Sequence, residues 1–152
     1  MIQYPLSFYA QADSEFGIQT PWNAVSSGKE FACAIPKEFE GPGEGISPED
    51  LFAQALTNCF LATFKVYAEK SKLSFCVIQA KTELIVDLNE RKQPVMKEAK
   101  LMVTVLGAEQ PDRLRMLAEK TLKSGFILNS VKTDLHLDMR FEGGANENAS
   151  VS

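Results

Sequence analysis

The spacing of apolar and polar residues changes along the chain, and each change predicts an element. From Ile78 to Leu88 the pattern has period two: Ile78, Ala80, Leu84, Val86 and Leu88 share one side, and Gln79, Lys81, Glu83 and Asp87 the other. From Val95 to Val105 the same period sets Val95, Ala99, Leu101, Val103 and Val105 against Glu98, Lys100 and Thr104. Two strands with one buried face each are expected, joined as a hairpin by the polar stretch Asn89 to Pro94. A further strand follows from Leu135, Leu137, Met139 and Phe141 alternating with Asp134, His136, Asp138 and Arg140. Between these strands, Pro111 opens a helix whose Leu114, Leu117, Ala118, Thr121 and Leu122 recur at helical spacing. Gly125 is placed to end that helix in the left-handed conformation.

A longer helix runs from Pro48 to about Leu73. Its start is written in side-chain chemistry: Ser47 as N-cap, Pro48 in the first turn and Asp50 where a capping-box acid belongs. At 1.5 Å per residue it would extend roughly 35 to 40 Å, about the width of a domain of this size. Its first half, Leu51 to Phe64, is apolar on nearly every face, which predicts burial all round, by a sheet or partly by a second subunit. Upstream, the short apolar runs Leu6 to Ala12 and Phe31 to Ile35 are separated by turn residues and predict a small meander of strands. The order is β-meander, helix, β-hairpin, helix, strand. It predicts an α+β fold with the long central helix lying on a largely antiparallel sheet. Residues 1–142 would form one domain, and the polar end, 143–152, a mobile tail.

At 152 residues and 45% hydrophobic, the chain can bury a core. A net charge of −4 without a basic face argues against nucleic acid as a partner. The longest charge-free run, Leu51 to Phe64, is shorter than the roughly 20 residues of a membrane span, so no membrane is expected. The start lacks the basic and apolar pattern of a secretory signal. Three cysteines, Cys33, Cys59 and Cys76, without a C-x-x-C spacing, argue against a disulfide scaffold or a structural zinc. A soluble, reduced, cytoplasmic protein without metal or cofactor is the reading.

Among candidate reactive groups, Cys33 falls in phase with Phe31 and Ile35, and Cys76 with Ile78 and Ala80, so both read as small core residues. Cys59 stands beside Asn58 and Thr57, polar residues that packing alone would not require. It reads either as an inert buried thiol or as a nucleophile, and it lies too far along the helix for the N-terminal dipole to activate it. The turn Gly41-Pro-Gly-Glu-Gly45 is glycine-rich, but Glu40, Glu44, Glu49 and Asp50 surround it with negative charge. That makes it a tight connection rather than a phosphate cradle. The single histidine, His136, has no second histidine or thiol to complete a metal site and reads as part of a solvated strand face. No G-x-S-x-G accompanies any serine, so hydrolase chemistry has no support.

The stretch from Ile35 to Phe60, IPKEFEGPGEGISPEDLFAQALTNCF, resembles the signature of the OsmC/Ohr family of osmotically inducible and organic hydroperoxide resistance proteins. In that family a glycine-rich turn leads into N/S-P-E-E-L, with a cysteine ten residues after the first Glu. Glu49 and Cys59 match that spacing, and Phe126 to Val131 is similar to the family's segment after the second helix. The resemblance implies an intertwined homodimer with thiol sites at its interface. There one cysteine attacks a hydroperoxide, becomes a sulfenic acid and is resolved by a second cysteine, and a lipoyl dithiol or small thiol restores it. Ten helical residues put Glu49 and Cys59 roughly 15 Å apart along the axis. Serving one site would require a bridging group or a partner chain.

Two departures from the pattern bear on function. Alignment on Phe126 to Val131 places Gly125, or at best Ser124, where the resolving cysteine belongs. The family's N-terminal arginine is also missing, since no arginine precedes Arg91, and Lys29 or Lys37 would lack its planar fork. The leading expectation is reduction of organic hydroperoxides with Cys59 as nucleophile, Glu49 as an orienting or acid/base carboxylate, and an external thiol or dithiol as reductant. The rival is a peroxidase-inactive relative that binds a small apolar molecule in the dimer-interface cavity, with Phe52, Phe60, Phe64 and Phe126 available to line it. A third reading makes Cys33 or Cys76 the resolving thiol, which needs Cα atoms less than about 7 Å apart.

Overall fold

A computed structural model describes residues 1–143, and the expected tail lies, from residue 144 on, outside the described residues. The chain separates into two compact units, Met1–Leu51 and Phe52 onward.

In the first unit, β1 (Ala10–Asp13), β2 (Trp22–Ser26) and β3 (Lys29–Cys33) form an antiparallel sheet in that order, the expected meander. Ser27 and Gly28, both at positive φ, turn β2 into β3. After β3 the chain folds back on itself. Ala34 N–H donates to Ile46 O (3.2 Å) and Ile46 N–H to Ala32 O (3.0 Å), so Ile46 lies beside Cys33 as a parallel bridge. The glycine-rich turn is the tight connection expected. Gly41 N–H and Gly43 N–H donate to Pro36 O and Ile35 O at 3.1 Å, and any Cβ at Gly41 would overlap the Ile35 carbonyl. Ala24, Cys33, Ala34 and Ser47 are buried, while Phe8, Tyr9 and Phe16 are almost fully exposed.

α1 covers Pro48–Lys70. Its start is the capping box read from the sequence: Ser47 N–H donates to Asp50 Oδ2 and Asp50 N–H to Ser47 Oγ, both at 3.0 Å. The second unit contains β4 (Val77–Leu88), β5 (Pro94–Leu106), α2 (Pro111–Ser124) and β6 (Asp134–Glu142), with a 3₁₀ turn at Leu128–Ser130. Its sheet has the order β4-β5-β6, with β4 antiparallel and β6 parallel to β5. Ala99, Leu101, Val103 and Val105 of β5 and Met139 and Phe141 of β6 form one buried face, as their alternation predicts. Leu56, Phe60, Phe64 and Ala68 of α1 and Leu114 and Ala118 of α2 belong to the same core. Burying such side chains contributes roughly 1.5–3 kcal/mol each for the larger ones, enough to fix the register of β5 and β6.

Four expectations are corrected. The strands form two separate three-stranded sheets rather than one. α1 is buried by its own chain on one face only: Gln54, Asn58, Ala62, Lys65 and Val66 are exposed along one stripe, opposite Leu56, Phe60, Phe64 and Ala68, so burial by this chain's sheet alone is the alternative that fails. Val86 and Leu88 are exposed, beyond a bulge where Ile85 pairs with Glu98 and Val86 with Met96. Gly125 caps α2 at φ −57°, ψ 139°, not in the left-handed region.

Candidate functional site

Cys59 sits in the middle of α1, 9% exposed, within the core of the second unit. Two residues define its sulfur's surroundings. A Cβ built on Gly125 would stand 3.0 Å from Cys59 Sγ, 2.9 Å from Leu128 Cδ1 and 3.3 Å from the Thr121 carbonyl. Gly125 is therefore glycine for closeness of approach, which explains why it needs no positive φ. On the other side, Thr63 Oγ1 lies 3.9 Å from Sγ, one turn further along α1.

The end of α2 is held against α1 by side chains that the sequence pattern did not single out. Ser124 Oγ donates to Lys120 O (2.7 Å), which commits its proton and leaves it to accept from the Tyr67 hydroxyl, also at 2.7 Å. The Lys120 ammonium lies 4.6 Å from the centre of the Tyr67 ring, within reach of its negative face. Cys59, Thr63 and Tyr67 are spaced four residues apart, so they form one stripe of α1 that faces the α2 terminus. That spacing of polar side chains in an apolar helix was the available signal. Sequence alignment had placed the missing resolving cysteine at Gly125 or Ser124, and geometry distinguishes them: Gly125 meets the sulfur, and Ser124 bonds Tyr67.

Glu49 lies in the first turn of α1, in the first unit. Its Oε1 is fully buried and has no hydrogen-bond partner among the described residues. A buried carboxylate oxygen without a donor is costly, by about 1–3 kcal/mol or more, so this atom is a place where a donor is wanted.

The other candidates have surroundings of their own. Cys33 is buried, and burial pushes its thiol pKa up. Cys76 is exposed, which corrects its reading as a core residue. It precedes β4, with its N–H bonded to Leu106 O (2.8 Å), and its side chain lies against Gly107. His136 Nε2 meets Glu98 Oε1 at 3.1 Å across β5 and β6, an exposed pair on the solvated strand face. Such a pair contributes little to stability. Phe60 and Phe64 are stacked on each other in the core, centroids 5.9 Å apart, and Phe126 is exposed. Phe52 borders a groove of about 550 Å³ with Val95, Met96, Val131, Lys97 and Lys132. Among the described residues no cluster of three or more His, Cys, Asp or Glu could hold a metal, and no helix is long and apolar enough to cross a membrane.

Comparison with known proteins gives a consistent assignment. The family described as OsmC-like protein matches residues 41–140. The uncharacterized protein YmaD of Bacillus subtilis (strain 168) is 30% identical over 87 residues, spanning 52% of this chain and 58% of that protein, less than two thirds of its length. Among solved structures, an OsmC-like protein of unknown function from Vibrio cholerae superposes with a TM-score of 0.74 at 16% identity, covering 86% of this chain and 98% of that one. An organic hydroperoxide resistance protein from Legionella pneumophila gives 0.71 at 19% identity, covering 91% and 98%. At these identities the structural likeness shows the fold: α+β with mostly antiparallel strands. With the family match spanning the glycine-rich turn, both helices and nearly all of β6, the chain belongs to the OsmC-like protein family.

Proposed function

We propose that this protein reduces organic hydroperoxides with Cys59 as its only reacting cysteine, and that an external thiol completes the cycle. The observation that carries this reading is the backbone of Gly125 against the Cys59 sulfur: the side-chain position next to the nucleophile holds no atom. In the reaction, the Cys59 thiolate bonds to the terminal oxygen of the hydroperoxide as the O–O bond breaks, and the leaving alkoxide takes a proton to become the alcohol. The sulfenic acid then condenses with an external thiol, releasing water and leaving a mixed disulfide. A second equivalent of that thiol, or the second sulfur of a dithiol, releases reduced Cys59. The structural relative from Legionella pneumophila is named for organic hydroperoxide resistance, which supports this substrate class.

Glu49 is the orienting or acid/base carboxylate in this reading. Its buried, unpartnered Oε1 supports a role in which a donor from substrate, cation or partner chain completes it. A homodimer is part of the proposal. The exposed Ala62 and Val66 on the outer stripe of α1, and the exposed Phe8, Tyr9 and Phe16 of the first unit, are apolar surface of the kind a second copy covers. Residues 1–142 would act as one domain in that assembly, in the cytoplasm.

Substituting Cys59→Ser tests the reading: hydroperoxide consumption should fall to the uncatalysed rate, and unchanged consumption would sink it. The second reading, binding of a small apolar molecule without peroxidase activity, is favoured by the groove beside Phe52, with apolar Val95, Met96 and Val131 for its walls. It predicts an apolar ligand that co-purifies with the Cys59→Ser variant as readily as with the parent protein.

A further inference from the structure

We propose that Thr63 is the residue that orients and activates the Cys59 sulfur, by donating its hydroxyl hydrogen to the thiolate. The inference rests on Cys59 being the reactive cysteine, and it adds a group that takes over part of the task an arginine would perform.

The argument begins with what helical threonines ordinarily do. A Thr hydroxyl in a helix usually bonds back to the carbonyl four residues before it. Thr57 does so to Ala53 O and Thr121 to Leu117 O, both at 2.8 Å. The carbonyl four residues before Thr63 belongs to Cys59 itself, and the Thr63 hydroxyl lies 3.9 Å from the sulfur of that residue, within reach of a sulfur acceptor. A hydroxyl can serve as either donor or acceptor, so it suits both states of the cysteine: it donates to the thiolate and accepts from the sulfenic acid.

The neighbouring contacts limit where the sulfur can go. Gly125 closes on it from α2, with room for no side chain between them, and Leu128 packs against the same spot. The α2 terminus is itself anchored one turn beyond Thr63, where Tyr67 bonds Ser124 under the Lys120 ammonium. Cys59, Thr63 and Tyr67 therefore share a seam in which Tyr67 fixes the opposing backbone and Thr63 supplies the polar hydrogen. A hydrogen bond to an anionic sulfur favours the thiolate over the neutral thiol, so its loss leaves less of the reacting form at neutral pH and should slow both reactions followed below.

The test compares Thr63→Val, which keeps shape and removes the hydroxyl, with Thr63→Ser, which keeps the hydroxyl, and Thr63→Ala as a smaller substitute. Two reactions of Cys59 are followed by peptide mass spectrometry at neutral pH on the fully reduced protein: alkylation by iodoacetamide and oxidation by an organic hydroperoxide. Thr63→Val and Thr63→Ala should slow both by about tenfold with far-UV circular dichroism unchanged, and Thr63→Ser should restore both to within about twofold. Parent-like rates in Thr63→Val, or slow rates in Thr63→Ser, would overturn the proposal. Alkylation does not depend on peroxidase activity. Slowed alkylation in a protein that does not reduce hydroperoxides would uphold the role of Thr63 while removing the peroxidase reading.

Discussion

The sulfur of Cys59 lies 3.0 Å from the point where a Cβ on Gly125 would stand. Across a disulfide of ordinary geometry, the Cβ of one cysteine is about 3 Å from the sulfur of the other. Position 125 is thus set at the distance where a bonding partner for Cys59 would begin, and in this chain it carries no side chain.

A Gly125→Cys variant should therefore form an internal disulfide with Cys59 when the reduced protein meets one equivalent of hydroperoxide, seen by intact mass as the loss of two hydrogens. The backbone at φ −57° accepts an L residue, so the adjustment required is a shift of Leu128. Gly125→Ala brings the crowding without the bond and should destabilise by about 1–3 kcal/mol in urea unfolding.

The start of α1 rests on the reciprocal bonds between Ser47 and Asp50. Ser47→Ala or Asp50→Ala should each cost about 1 kcal/mol and lower the melting temperature by roughly 2–4 °C. Melting curves of the two single variants and the double variant would show a coupled loss, smaller than the sum, because each removes part of one motif.

Phe64 is fully buried, stacked on Phe60 and in contact with Phe75, centroids 5.6 Å apart. Phe64→Ala should destabilise by about 3–5 kcal/mol through lost contacts and the cavity left behind. Denaturant titration reads this directly.

Of the two thiols outside the proposed site, Cys76 and Cys33, the order of reaction should be set by exposure and burial. Cys76, exposed, should be alkylated first, and Cys33 last, since burial raises its pKa above the ordinary 9.0. The sign for stability follows. Above pH 9 the unfolded chain releases the Cys33 proton while the folded chain keeps it, so stability falls as pH rises from there. A Cys33→Ala variant should show a shallower decline in urea midpoint above pH 9 than the parent.

The parts legible in the sequence were those governed by local chemistry. The α1 start was readable because capping uses specific side chains at fixed offsets, and β5 because a strand buried on one side repeats every two residues. What depends on distant chain segments was not readable. The parallel pairing of β6 with β5 and the division into two sheets are choices of strand neighbour, which period alone does not encode. Gly125 was misread because a glycine after a helix signals both a left-handed cap and a close approach, and only the position of Cys59 distinguishes them. Cys59 and Glu49 were singled out by spacing within a family pattern. The Tyr67–Ser124 bond was not legible, since it arises only once α1 and α2 are packed, whereas the Thr63 contact with Cys59 lies within α1, where the four-residue spacing was its signal.

The central claim is that Cys59 works alone with an external thiol. It is tested most directly by stopped-flow reaction of the fully reduced protein with an organic hydroperoxide, quenched and mapped by mass spectrometry, with and without added thiol. The account predicts oxidation far faster than that of a free thiol, one oxygen gained on Cys59, and a mixed disulfide at Cys59 when thiol is present. A rate no better than a free thiol, or an internal disulfide joining Cys59 to Cys33 or Cys76, would contradict it.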